Sequence, residues 1–228
     1  MDSEALLCSK GELAYLDMLE SLREGTAQQV QADAGGILLC VGGTTYDVAV
    51  FDEEAVVRFA QPLLGKDDPI AVHEGPMVHY LSEQGLSHTF SCIQAAYLGA
   101  TPVDVDPSAD IRILGEQDLK VVVSHYHMAD VTYIKDRIAH QAMIGLFVQD
   151  RLAGFIGRHQ EGAMGMLEVL PSYRRQGFGR ILEGAYINLL LKQGRIPYCH
   201  VVETNHASLR LQQSLGLVFS DQKIHWFN

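Results

Sequence analysis

The stretch that most constrains the fold of this sequence runs from Met166 to Arg180, MLEVLPSYRRQGFGR. It combines a short apolar segment, a break at Pro171, and a basic turn that contains Gly177 and Gly179. Apolar side chains then recur at helical spacing, and Gly194 is typical of a helix end. The order predicts a strand, a tight turn and a helix of about four turns.

The turn is suited to binding an anion. Its glycines let backbone N–H groups face outward, and the first turn of a helix carries unpaired N–H donors with a partial positive charge. Arg174, Arg175 and Arg180 add fixed charge, so the stretch predicts a pyrophosphate site at the carboxyl end of a strand. A second strand from Tyr198 to Val202 should lie parallel to the first, because a helix joins the two. A lone G-x-G that is only a tight turn is the alternative.

Three motifs resemble one family in the expected order. Arg174-x-x-Gly177-x-Gly179 is similar to the acyl-CoA pyrophosphate loop, Q/R-x-x-G-x-G/A, of the GNAT superfamily (GCN5-related N-acetyltransferases). The segment 167–174 resembles that family's central strand, and residues 205–217 resemble its last helix and the turn after it. The resemblance spans roughly residues 111–228, and the segments PSYRRQG and PYCHV favour the FR47-like, glycine N-acyltransferase-like branch.

The resemblance implies a GNAT fold, a mixed and mostly antiparallel sheet with a splayed parallel strand pair and helices on both faces. The segment Gly99 to Asp110, GATPVDVDPSAD, has linker composition and divides the chain into an N-terminal α/β domain, 1–108, and a GNAT domain, 109–228. In the first half, a polar link ends at Gly35-Gly36, and Ile37–Val41 with Tyr46–Phe51 predicts a hairpin. That half is interpreted as a degenerate counterpart of the second.

The resemblance also implies a function: direct transfer of an acyl group, acetyl first of all, from CoA to a primary amine of a small molecule or amino acid. A catalytically silent acyl-CoA-binding or partner-binding module is the alternative. Backbone groups of Leu167, Glu168 and Val169 would polarise the thioester and pair with the pantetheine arm. Asn205 would contact the cofactor or cap the last helix. The pyrophosphate loop would consist of Arg174, Arg175, Gln176, Gly177, Phe178, Gly179 and Arg180.

Acyl transfer to an amine requires a general base, and two residues are candidates. His200 lies on the second strand and titrates near neutral pH, although a half-buried hydrogen-bonded histidine is the alternative. Glu168, on the apolar strand, is the second candidate, and a solvated or salt-bridged strand position is the alternative. The tyrosine that serves many family members as general acid is replaced by Gln212, which leaves Tyr198, Tyr173 or water for that role.

Composition limits the partners. A net charge of −11 argues against nucleic acid, and no apolar run is long enough for a membrane helix. The acidic N-terminus does not resemble a signal peptide, and four scattered cysteines fit reduced thiols in the cytoplasm. The pair His125-x-His127 lacks an evident third ligand, so no metal is predicted. The protein is expected to be a monomer or a homodimer.

Overall fold

The computed structural model describes residues 2–228. In the first half, helices and strands alternate in an α/β pattern that follows the spacing of apolar side chains. The elements of this half are α1 (Ser3–Gly11), α2 (Leu16–Arg23), β1 (Ala27–Asp33), β2 (Gly36–Val41), β3 (Thr45–Val50), α3 (Val56–Ala60), β4 (Ile70–His73), α4 (Pro76–Glu83) and β5 (His88–Ala96).

The second half repeats this order after one extra strand, β6. Its elements are β6 (Asp110–Ile113), α5 (Leu119–His125), α6 (Val131–Ala139), β7 (Met143–Val148), β8 (Arg151–Arg158), β9 (Met164–Val169), α7 (Phe178–Lys192), β10 (Tyr198–Val202), α8 (His206–Leu215) and β11 (Val218–Phe227).

The eleven strands described within residues 2–228 join one sheet in the order β1-β2-β3-β4-β11-β5-β10-β9-β8-β7-β6. The two parallel pairs, β3 with β4 and β9 with β10, lie on either side of a central antiparallel pair. That central pair joins the halves, because β11 lies between β4 and β5 while β5 lies between β11 and β10. Each half therefore contributes one strand to the centre of the other.

Helices cover both faces of the sheet and bury separate apolar clusters. Helices α1 and α2 pack on one face of the first half, while α3 and α4 pack on the other. In the second half, α7 and α8 cover one face, and α5 and α6 cover the other. This arrangement confirms the predicted mixed α/β class. No helix among residues 2–228 has the length and apolar character needed to cross a membrane.

The elements of the second half agree with the sequence prediction, whereas one interpretation in the first half is wrong. The predicted polar link before Gly36 contains strand β1, which pairs antiparallel with β2. Because β1 is the edge strand of the sheet and its side chains are half-buried or exposed, it lacks the apolar alternation of an inner strand.

The segment between β5 and β6 contains no helix or strand and lies along α7. Asn188 on α7 accepts a hydrogen bond from the Val103 N–H and donates one to the Val103 carbonyl. This contact ties the segment to the second half. The division into residues 1–108 and 109–228 remains a prediction.

Candidate functional site

The parallel strands β9 and β10 meet at their first residues and then separate. Met164 and Cys199 form their one paired position within residues 2–228. Strand β9 stays paired with β8 up to Val169, so the separation leaves its other edge unpaired towards the carboxyl end. The result is a wedge between the two strands, which agrees with the splayed parallel pair predicted from the sequence.

A bulge in β9 marks the start of this wedge. Phe155 pairs with Glu168 and Gly157 pairs with Gly165, so β9 has one residue more than β8 across the same interval. Met166 lies in that interval with φ of 53°, a left-handed conformation that is uncommon for a side-chain-bearing residue. The bulge shifts Leu167 and the residues after it relative to the neighbouring strand.

The basic turn follows directly and leads into α7. Gly177 is the N-cap with φ of 80°, and Arg175 also has a positive φ of 64°. The first backbone donor inside the helix is Ile181, which bonds to the Gly177 carbonyl. Within residues 2–228, the six backbone N–H groups from Arg175 to Arg180 have no hydrogen-bond acceptor. Such a run of free donors at a helix N-terminus is suited to binding an anion.

The three arginines of the turn have different surroundings. Arg174 turns back onto β9, donating to the Val169 carbonyl at 3.0 Å and to Glu168 at 2.8 Å. Arg180 donates to the backbone carbonyl and hydroxyl of Ser214, which fastens α7 to the end of α8. Arg175 is exposed and makes no ion pair within residues 2–228. Of the predicted fixed charges, Arg175 is therefore the one left open to a ligand.

Asn205 acts locally as a helix cap. Its side-chain oxygen accepts a hydrogen bond from the Ser208 N–H at 3.1 Å, at the start of α8. The cap fixes the direction of α8 beside the carboxyl end of β10. Its predicted contact with a cofactor remains a prediction.

His200 lies on the face of β10 opposite to α7, because its neighbours Cys199 and Val201 pack into the core under that helix. Its Nε2 lies 2.9 Å from Gln94 Oε1 and 3.4 Å from Asp17 Oδ2. Gln94 donates its amide N–H to the Leu13 carbonyl, which directs Oε1 towards the ring. Nε2 is therefore the protonated nitrogen of His200, and Nδ1 is left as the basic one.

Within residues 2–228, Nδ1 of His200 has no hydrogen-bond partner, and the side chain is 8% exposed. Gln94 comes from β5 and Asp17 from α2, so the first half of the chain orients a side chain of the second. Sequence reasoning missed both residues, since nothing in their local pattern distinguishes them from other polar positions.

Glu168 alternates with Leu167 and Val169 and faces away from α7, as its position in the strand predicts. Its side chain is 25% exposed, and its Oε1 accepts the hydrogen bond from Arg174. The salt-bridged alternative is therefore what the structure contains at this position.

The residues considered for a general acid are buried away from the wedge or occupied. Gln212 is buried between α7 and α8 and donates to Glu183 at 2.6 Å. The hydroxyl of Tyr198 is buried and donates to the Glu161 carbonyl at 2.5 Å. Burial also raises its pKa well above the ordinary value for tyrosine. Of the groups considered, Tyr173 and water remain.

Comparison with known proteins supports the family that the motifs indicated. Residues 143–226 match the family model for FR47-like proteins. No curated protein sequence matches the chain.

Solved structures share the fold over nearly the whole chain. A Drosophila protein superposes with a TM-score of 0.72 at 15% identity, over 98% of this chain and 93% of its own. A GCN5-related N-acetyltransferase from Kribbella flavida gives 0.64 at 14% identity, over 96% of each chain. A tandem GNAT protein from the clavulanic acid biosynthesis pathway gives 0.55 at 15% identity, over 100% of this chain and 94% of its own.

The family model covers β7 to β11, which includes the bulged strand, the basic turn and His200. The structural matches extend the same fold to the first half. Residues 143–226 are therefore similar to FR47-like proteins, and the chain as a whole shares the fold of GNAT-family structures.

Proposed function

We propose that the protein is an acyl-CoA-dependent N-acyltransferase, which transfers an acyl group from CoA directly to a primary amine. Acetyl is the acyl group that we propose. One observation carries the proposal. The six free N–H groups of 175–180 lie at the mouth of a strand wedge that has an oriented imidazole, His200, on its other strand. An anion site and a base on the two sides of one opening are what acyl transfer from CoA requires.

The turn would hold the pyrophosphate of CoA. Its N–H groups would donate hydrogen bonds to the phosphate oxygens, and Arg175 would supply the fixed positive charge. The cofactor arm would then extend into the wedge along the free edge of Leu167, Glu168 and Val169. A backbone N–H at the bulge would polarise the thioester carbonyl as it gains negative charge.

His200 would prepare the amine. Its Nδ1 would take a proton from the ammonium form, directly or through water, and the freed lone pair would attack the thioester carbonyl carbon. The C–N bond forms, the tetrahedral oxyanion collapses, and the C–S bond breaks to release the CoA thiolate. Protonation of that thiolate falls to Tyr173 or to water. The hydrogen bond from Nε2 to Gln94, with Asp17 close by, would keep the ring in the tautomer that this role needs.

Glu168 is the second candidate for the base, and its contact with Arg174 makes it the weaker one. A carboxylate oxygen that already accepts a charged hydrogen bond has less capacity to accept a proton. We expect Glu168 and Arg174 instead to hold the geometry of the wedge, since together they join the end of β9 to the turn.

We propose a small molecule or an amino acid as the acceptor, in a cytoplasmic monomer or homodimer without a nucleic-acid partner. The net charge of −11 favours a cationic amine over a polyanion. All four cysteines are free thiols, and burial raises the pKa of both Cys92 and Cys199, which suits a reducing compartment.

The proposal is tested with a panel of amines, amino acids and short peptides in the presence of acetyl-CoA. Release of free thiol is followed optically, and the N-acetyl product is identified by mass spectrometry. We expect at least one small amine to give thiol and N-acetyl product in equal amounts. If CoA binds but no amine is acylated by acetyl-, propionyl- or benzoyl-CoA, the protein is a silent CoA-binding module instead.

A further inference from the structure

A second cluster of polar side chains lies buried on the α2 face of the first half. Asp17 on α2, Asp47 on β3 and His73 on β4 are 2%, 5% and 1% exposed. One ligand atom from each lies within 4.8 Å of those of the other two. The ring of Tyr15 covers His73, with 4.9 Å between the two ring centroids.

The charges of this cluster are poorly compensated by the protein alone. Two carboxylates face each other without a lysine or arginine contact within residues 2–228, and His73 is the cation closest to both. Asp17 Oδ2, Asp47 Oδ1 and both ring nitrogens of His73 are buried without hydrogen-bond partners among these residues. Unpaired buried carboxylates are costly, so the cluster needs a positive charge, which a metal ion or a protonated His73 can supply.

The distances within the cluster fit a metal ion better than hydrogen bonds. His73 Nε2 lies 3.3 Å from Asp17 Oδ1 and 3.2 Å from Asp47 Oδ1, and neither contact has hydrogen-bond geometry. Ligands bound tetrahedrally to zinc at about 2.0–2.2 Å are separated by roughly 3.3–3.6 Å. One imidazole and two carboxylates are also a donor set that zinc accepts, and their two negative charges balance a divalent ion.

We propose that Asp17, Asp47 and His73 bind one Zn²⁺ ion. The fourth tetrahedral position goes to water, because the neighbouring His200 Nε2 already donates to Gln94. The ion joins α2 to strands β3 and β4, and Asp17 carries its effect towards His200 through Oδ2. The sequence prediction of no metal rested on adjacent spacing such as His125-x-His127, whereas these three ligands come from three separate elements.

Without a metal ion, the cluster must hold an extra proton, and His73 is the group that binds it. Burial alone would lower the pKa of His73, but Asp17 and Asp47 together outweigh it and raise that pKa to about 10. Without metal, the imidazole would therefore be charged and paired with both carboxylates. Zinc binding would displace that proton from Nε2. The two states differ in metal content, and this makes them distinguishable.

The test measures zinc in the full-length protein, purified without a polyhistidine tag or chelator. Elemental analysis should find about one zinc per chain, and cobalt substitution should give the visible absorption of a tetrahedral ion. Removing the ion with a chelator should lower the Tm by about 5–10 °C, and zinc should restore it, if the site is filled to about 100 times its Kd.

Matched variants identify the ligands. Asp47→Asn and His73→Gln keep the approximate shape, leave the contacts of His200 intact, and should each abolish stoichiometric zinc. His127→Gln, at an exposed histidine, should retain it. Wild-type protein that contains no zinc, takes up none from micromolar solution and keeps its Tm in chelator would overturn the proposal in favour of the charged His73 cluster. So would zinc binding that survives in a folded Asp47→Asn protein. If a variant fails to fold, the wild-type measurements decide.

Discussion

The sharpest test of the anion site compares two substitutions at Gly177 that differ only in charge. Gly177 has a φ of 80°, and a Cβ built there meets no atom within 4 Å. Asn and Asp have the same shape, and both enter the left-handed region more readily than other side chains. Each should cost at most about 1–2 kcal/mol of folding free energy, or a Tm decrease of about 2–8 °C. Both variants should therefore fold.

The Gly177→Asp variant should bind CoA much more weakly than the Gly177→Asn variant. A carboxylate about 4–5 Å from a phosphate charge costs about 1 kcal/mol in a water-like environment and about 4 kcal/mol at an effective dielectric constant of about 20. Since about 1.4 kcal/mol is tenfold, Gly177→Asp should bind CoA about 5- to 1,000-fold more weakly than Gly177→Asn. Titration calorimetry of both proteins gives the ratio. Salt provides a control, because about 0.5 M NaCl should narrow the difference by screening.

Equal CoA affinity for the two variants would refute the reasoning, because a pyrophosphate beside Gly177 must feel the added charge. If both variants bind CoA more weakly than wild type by the same factor, the loss comes from a steric or backbone effect and not from the charge. Only a loss specific to aspartate supports phosphate recognition by the turn.

Three further predictions follow from particular contacts. Proteolysis should cut first within 99–109, but the two halves should still elute together in gel filtration, because β5 lies between β10 and β11. For the same reason, a fragment of residues 109–228 made alone should not unfold cooperatively. Cooperative unfolding of that fragment would contradict the strand exchange. Glu168→Gln should leave kcat within about threefold of wild type, since the proposed base is elsewhere, and a loss above about 10²-fold would transfer that role to Glu168. Burial, only partly offset by the hydrogen bond from Gln212, raises the pKa of Glu183 from 4.5 to about 7. Between these pH values the folded state binds more protons than the unfolded state, so the free energy of unfolding should fall as the pH rises. The Glu183→Gln variant should not show this fall, and its free energy of unfolding, measured with urea at pH 8.5, should exceed that of wild type by up to about 3 kcal/mol. Parallel profiles of unfolding free energy against pH for the two proteins would refute the pKa shift.

The Glu183 prediction has a structural basis beyond burial. Glu183 Oε2 and Gln212 Oε1 are both buried without partners among residues 2–228, while Gln212 Nε2 donates to Glu183 Oε1. A proton on Oε2 would supply the donor that the Gln212 oxygen lacks. The side-chain amide of a glutamine at position 183 would do the same at every pH.

The sequence predicts the second half well because its signals are local. The apolar strand before Pro171, the glycines of the turn and the helical spacing after them lie within a few dozen residues of one another. Each element is defined by its own period or by its turn residues. The order of these elements predicts the parallel pair, which the contact between Met164 and Cys199 confirms.

The centre of the sheet lies outside the reach of such signals. Periodicity does not decide between strand and helix for residues 89–98, and it contains no information about the partner strands. The insertion of β5 between β10 and β11 depends on packing between distant segments. The environment of His200 has the same origin, since Gln94 is 106 residues away in sequence. The same limit hides the buried cluster of Asp17, Asp47 and His73.

The central claim is that an acyl group passes from CoA to an amine that His200 deprotonates. Its most direct test is the pH profile of kcat/KM for wild type and His200→Gln with the acceptor found by screening. The glutamine amide keeps a donor towards Gln94 and has no titrating nitrogen. We expect a wild-type profile that rises with pH, and a variant with kcat lower by about 10²–10⁴-fold, no such rise and unchanged CoA affinity. A variant with the wild-type rate and the wild-type profile would contradict it.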